Sequence, residues 1–184
     1  MKNKGHGRAK VLTIAEVKRL LTELEKVERD ACLFAICFFT GCRISEALHL
    51  ETSDIIEGII TFRKSTTKGK LKTRTIPIHP ALAIYLETYH PKKTGALFPG
   101  QVGRNKYLSR ASADRILRRA CECVGLVGVS THSFRRSALS FMSSNGIPLR
   151  EIQEISGHSD LGTLQRYLEV TPDQVKKAIL SIWL

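Results

Sequence analysis

The chain has 184 residues, enough for one domain, and 42% of them are hydrophobic, so it can bury an ordinary core and is not a disordered chain. Lysine and arginine number 29 against 17 aspartates and glutamates, a formal net charge of +12 at pH 7. A domain this basic suits a polyanion, because each phosphate it neutralises releases condensed counterions.

The longest apolar run, Ala31 to Phe39, is about half of a bilayer span. The basic start, Met1 to Arg8, leads into no apolar stretch. Neither a membrane helix nor a secretory leader is expected. The five cysteines are an odd set with no C-x-x-C spacing, which argues against a disulfide framework and against zinc. Cys32, Cys37 and Cys42 are expected to be reduced, buried and inert, in a cytoplasmic protein.

Residues 1–10 carry four lysines or arginines and two glycines and read as a basic N-terminal arm. Thr13-Ile14-Ala15-Glu16 is a capping box that opens a first helix, with Val17, Leu20, Leu21 and Leu24 on one face. Asp30 is expected to cap a second, strongly apolar helix through Phe39, which Gly41 breaks. Arg43 to Leu50 forms a third. Ile55-Ile56 and Ile59 to Phe62, with Glu57-Gly58 between them, read as a hairpin. A cationic connection with Gly69 as its turn leads to a returning strand, Thr73 to Ile78. Further helices are expected at Pro80–Tyr89, Ser109–Val124, His132–Ser144, Pro148–Ser156, Leu161–Leu168 and Thr171–Ile182. The class is mainly α with a small antiparallel β-sheet.

Four local patterns carry candidate chemistry. In Thr40-Gly41-Cys42-Arg43-Ile44-Ser45-Glu46-Ala47-Leu48 an arginine opens a helix, where its guanidinium fork and free helix amides together suit a phosphate. In His132-Ser133-Phe134-Arg135-Arg136 the imidazole and the first guanidinium are three residues apart and share a helix face. The third pattern is Gly157-His158-Ser159-Asp160. The fourth is Tyr167, nine residues after His158. A phenol, two histidines and two arginines, with no metal-ligand cluster, are the parts of a metal-free phosphoryl transfer. Singly, each has an ordinary structural reading.

Taken together, TGCRISEAL, HSFRR and GHSDLGTLQRYLEV resemble the arginine, His-x-x-Arg and Gly-His…Tyr boxes of the tyrosine recombinases, the phage-integrase family, in order and in spacing. The resemblance runs from about Thr13 to Val170. It implies a tyrosine recombinase catalytic-domain fold over residues 11–184, without the family's N-terminal core-binding domain and with a weaker stand-alone grip on DNA. It implies that Arg43 and Arg135 clamp a scissile phosphate of double-stranded DNA, that His132 assists proton transfer, and that His158 holds the phosphate or the leaving oxygen. Tyr167 would attack, giving a 3′-phosphotyrosine and a free 5′-hydroxyl. Glu46 matches an acid that orients these groups. A lysine in the turn of the sheet would protonate the leaving oxygen. Counting back from Pro77 its usual place falls on Gly69, so Lys68 is favoured, with Lys70 second. No cofactor, no metal and no ATP are implied, since the protein–DNA ester conserves the energy of the broken bond. The setting implied is cytoplasmic, bacterial and nucleoid-associated.

Two places depart from the common form: Phe134 stands for a leucine and Arg136 for a histidine. The last segment carries Val175, Ala178, Ile179 and Ile182 on one helical face. That face either packs on its own domain or is donated to a neighbour, linking a homotetramer on DNA by C-terminal helix exchange. Three activities stay open at this level: site-specific recombination or integration, in phage, plasmid, mobile-element or chromosome-resolution use; topoisomerase-like relaxation; and DNA binding without catalysis.

Overall fold

The computed structural model describes residues 9–66, 73–101, 106–165, 168, 170 and 172–182. Among them the chain forms α1 (Ile14–Leu24), α2 (Glu28–Phe39), α3 (Ile44–Leu48), β1 (Ile55–Ile56), β2 (Ile59–Phe62), β3 (Arg74–Pro77), α4 (Pro80–Tyr89), α5 (Arg110–Cys123), α6 (Thr131–Ser144), α7 (Leu149–Ser156), α8 (Leu161–Gln165) and α9 (Pro172–Leu180). The strands make one antiparallel sheet in the order β1-β2-β3, with Ile60 opposite Ile76 and Phe62 opposite Arg74. The class read from the sequence holds.

Helix α2 is the hub. Every residue from Asp30 to Cys37 is buried, as a helix apolar on all sides must be. Helices α1, α3, α4 and α6 pack round it. The Phe34 and Phe134 rings meet at 5.2 Å between centroids, joining α2 to α6. A smaller cluster of Leu139, Ile152 and Leu164 ties α6 to α7 and α8. Cys32, Cys37 and Cys42 are buried as expected, and burial pushes the Cys32 thiol up to about 12, which keeps it inert. Among the described residues no helix is long and apolar enough to cross a membrane.

Several boundaries differ from the sequence reading. Asp30 does not cap α2. The helix begins two residues earlier, the Asp30 amide donates to the Val27 carbonyl at 2.8 Å, and its carboxylate pairs with Arg29 at 2.7 Å. Helix α3 stops at Leu48 rather than Leu50, because the Leu50 carbonyl accepts from the Leu97 amide (2.8 Å) and draws that segment away. Helix α6 starts at Thr131 rather than His132, capped by Ser130, whose hydroxyl accepts from the His132 amide. Among the described residues helix α8 covers Leu161–Gln165 and Leu168 lies outside it, and α9 spans Pro172–Leu180. Of the ten residues assigned to the basic arm, 1–8 lie outside the described residues. Ala9 and Lys10 are docked: the Ala9 carbonyl accepts from Arg136 Nη1 at 2.5 Å, and the Lys10 amide donates to the Gly128 carbonyl at 3.1 Å.

Because Phe34 sits at the contact of α2 with α6, Phe34→Ala leaves a cavity that neither helix can close. A loss of about 3–5 kcal/mol in unfolding free energy is expected by urea titration, and an unchanged midpoint would show that α2 is not the hub.

Candidate active site

Arg43 is the residue just before α3, and two residues ahead of it the chain turns at Gly41. Gly41 has φ +60°, and a Cβ there would lie 3.1 Å from Leu139 Cδ2. Glycine therefore lets α2 end against α6 with the Gly41 carbonyl turned towards Arg135. The free helix amide expected beside the Arg43 guanidinium is not free. The Arg43 amide donates to Glu46 Oε2 at 2.7 Å, and Arg43 Nη1 reaches Glu46 Oε1 at 3.3 Å. The carboxylate three residues on out-competes any external acceptor for that amide.

Arg135, from the second turn of α6, is fully buried. Its Nη1 donates to the carbonyls of Gly41 (2.6 Å) and Ser156 (2.9 Å). Its Nη2 faces the His158 ring, 3.1 Å from Nε2. Burial lowers its pKa to about 10, with the Arg43 charge adding to the effect, so it stays protonated at neutral pH. An arginine can only donate, so the ring nitrogen facing it must accept, which needs the neutral imidazole. The Ser156 hydroxyl lies 2.7 Å from His158 Nδ1 and takes the other side of the ring. Burial, then the Arg135 and Arg43 charges, pull the His158 pKa down to about 3, in agreement with a neutral ring.

Glu46 is fully buried below these cations. Burial by itself raises its carboxyl, but bonds and charge from Arg74, with the Arg43 amide, hold it below the usual carboxylate range. Arg74 is the site residue that the sequence reading passed over. It grips Glu46 with both terminal nitrogens, at 3.1 and 2.9 Å. It stands on β3 one pleat from Ile76, and both point inwards. An arginine on the inward face of a short strand was the available signal, since such a charge demands a buried partner.

The structure thus brings together Arg43, Arg135, His158 and Glu46, drawn from α3, α6 and the end of α7. His132 lies one turn before Arg135 on α6 and is half-buried. Arg136 packs against the Ala9 carbonyl. Asp160 receives the Thr163 amide (2.7 Å) and hydroxyl (3.0 Å) and so caps α8. Lys68, Lys70 and Tyr167 lie outside the described residues. Among the described residues three guanidinium groups surround one buried carboxylate, and the Arg135 Nε has no hydrogen-bond acceptor. This surplus of positive charge attracts an anion carrying several oxygens.

Known proteins are similar to this chain in sequence and in fold. The Phage integrase family profile matches residues 10–174. Tyrosine recombinase XerA of Pyrococcus furiosus is 36% identical over 177 residues, a match covering 92% of this chain and 60% of that protein. The chain thus spans about three fifths of the length of that relative. The catalytic domain of bacteriophage HP1 integrase superposes with a TM-score of 0.71 at 28% identity over 95% of both chains. The XerH site-specific recombinase bound to difH substrate gives a TM-score of 0.70 at 25% identity, over 95% of this chain and 54% of that one. With the motifs, the fold and a match over nearly its whole length in agreement, this chain belongs to the phage integrase family.

Proposed function

We propose that this chain carries the catalytic centre of a site-specific DNA recombinase or integrase, which cuts and rejoins strands through a 3′-phosphotyrosyl intermediate. The observation that carries the reading is the meeting of Arg43 and Arg135, remote in sequence, over one buried carboxylate and beside His158. A phosphodiester resists a phenolate because both are anionic, and two guanidinium groups in a partly dry site offset that repulsion. The XerH relative, solved with difH substrate, supports a DNA target.

In this reading the Tyr167 oxygen attacks phosphorus, the bond to the 5′-oxygen breaks, and the leaving oxygen takes a proton from Lys68, or from Lys70 as the second choice. His132 assists proton transfer from the phenol. His158, neutral at the start, hydrogen-bonds the phosphate or the leaving oxygen. Arg43, half-exposed at 23% of its side chain, offers its outer N–H groups to the phosphate, while Arg135 supplies charge from beneath. The rejoining step is the reverse, with a 5′-hydroxyl attacking the phosphotyrosine. Lysine and arginine contacts to phosphates supply most of the affinity.

Helix α9 supports assembly. Val175 and Ile179 on its apolar face are 53% and 64% exposed, and Ile182 beyond its end is exposed too. That face is not buried against its own domain, so it is available to a neighbouring copy, and a DNA-bound homotetramer linked by helix exchange is the assembly it suits.

Three outcomes are expected. On nicked suicide duplexes the unaltered protein forms a covalent adduct, whereas Tyr167→Phe binds the same duplex and forms none. An adduct surviving in that variant would refute the assignment of the nucleophile. Chemical crosslinking on DNA should yield tetramers from the full chain and lose them when residues 171–184 are deleted; equal crosslinking in both would remove α9 from the assembly. The His158 pKa, about 3 when folded, lies below its ordinary 6.5. The unfolded chain therefore binds a proton in that interval that the folded chain refuses, and stability is full above the interval and falls as pH drops through it. The melting temperature should fall from pH 7 to pH 4 more steeply in the unaltered protein than in His158→Asn, and parallel profiles would contradict the buried, neutral ring.

A further inference from the structure

Arg74 belongs to none of the motifs that identify the family resemblance, yet it is the cation that grips the buried Glu46 with both terminal nitrogens. Its side chain is 8% exposed against 23% for Arg43. Both its terminal nitrogens bond Glu46, one to each carboxylate oxygen. Its guanidinium carbon sits 4.4 Å over the centre of the Phe62 ring, the residue opposite it on β2. On its other side lies Gly157, where a Cβ would come within 2.9 Å of Arg74 Nη1 and 3.4 Å of Cζ. Gly157 also has φ +65° as it closes α7. The glycine before His158 is thus required twice, by the helix end and by the arginine that passes beneath it.

Resting on the recombinase reading, we infer that Arg74 is a positioning residue for strand cleavage: it neutralises Glu46 so that the Arg43 guanidinium stays turned to the phosphate, and it clamps the sheet to the His158 loop. Glu46 has room for two cations. With Arg74 in place, the stronger bidentate pairing goes inwards and Arg43 contacts the carboxylate through one nitrogen at 3.3 Å. Without Arg74, a fully buried carboxylate would be left with Arg43 as its only directly bonded cation. The Arg43 guanidinium would then rotate inwards to saturate it. That rotation removes from the phosphate a donor that catalysis needs. The charged and titratable groups facing Glu46 are Arg43 from α3, Arg74 from β3, Arg135 from α6, and His158, Cys37 and Cys42 around them. Arg74 is the one among them whose whole fork is spent on the carboxylate. Strand β3 is also the strand that follows residues 67–72, which include Lys68. Fixing its first residue to Glu46 and to Gly157 sets the sheet against both phosphate-binding arginines.

The test uses the full chain and nicked suicide duplexes recovered from a randomised pool by covalent capture on the unaltered protein. Arg74→Met, close in volume and uncharged, should bind these duplexes with little change but form the adduct about a hundredfold more slowly, as expected for a displaced catalytic group. Arg74→Lys should recover part of the rate, since it keeps the charge and loses the fork. The decisive variant is Arg74→Met combined with Glu46→Gln. It removes the buried charge along with its partner, so Arg43 is no longer drawn inwards, and the rate should rise about tenfold or more above that of Arg74→Met alone. A purely structural role predicts no such recovery. Arg74→Met cleaving at the unaltered rate would overturn the inference. So would a double variant that melts at the unaltered temperature yet cleaves no faster than the single one. Failure of the unaltered protein to be captured by any duplex would sink the recombinase reading itself, a result distinct from either.

Discussion

Everything in the site hangs on the burial of one guanidinium. Arg135 carries its charge into the interior of α6, where a lone ion would cost several kcal/mol in lost hydration. Its two carbonyl acceptors are the last turn of α7, at Ser156, and the glycine that ends α2, at Gly41. Satisfying this arginine therefore joins three helix segments that the sequence separates widely. Remove those acceptors and the charge must leave, and the junction that holds Arg43 and the loop that holds His158 would part with it.

The electrostatics follow from the same burial. Three guanidinium groups surround one carboxylate, so the cluster is left with positive charge that it does not cancel among the described residues. Glu46 is pinned charged by Arg74, and His158 is held neutral by its surroundings. The site is thereby polarised in advance of any ligand. In the proposed reading, a phosphodiester that enters would meet fixed donors and would not have to reorganise water or side chains to gain them. Two glycines of the motifs serve this arrangement: Gly41 lets a carbonyl face Arg135, and Gly157 lets Arg74 pass under the His158 loop.

Much of the architecture could be read from local chemistry. The capping box at Thr13 is formed, with the Glu16 amide donating to the Thr13 hydroxyl and the Glu16 carboxylate returning to the Thr13 amide. The Glu57-Gly58 turn joins β1 to β2 in the expected hairpin. These features succeed because short-range hydrogen bonding decides them. The failures have a common cause too. Asp30 had the chemistry of a cap, but packing of α2 on all sides drew two more residues into the helix and gave the carboxylate to Arg29. Leu50 fitted a helical period, yet a long-range bond with Leu97 took its carbonyl.

The sequence by itself determined the class of the fold, the basic character and the set of candidate site residues, because helical periodicity, turn residues and motif spacing are encoded within a few positions of one another. The tertiary structure decided which cations face solvent and which are spent inside. Arg43 and Arg74 look equivalent as letters, each three or fewer residues from a helix or strand start. Only the packing of β3 beneath the end of α7 buries one and leaves the other at the surface, since burial is set by elements far apart along the chain and no local pattern records it.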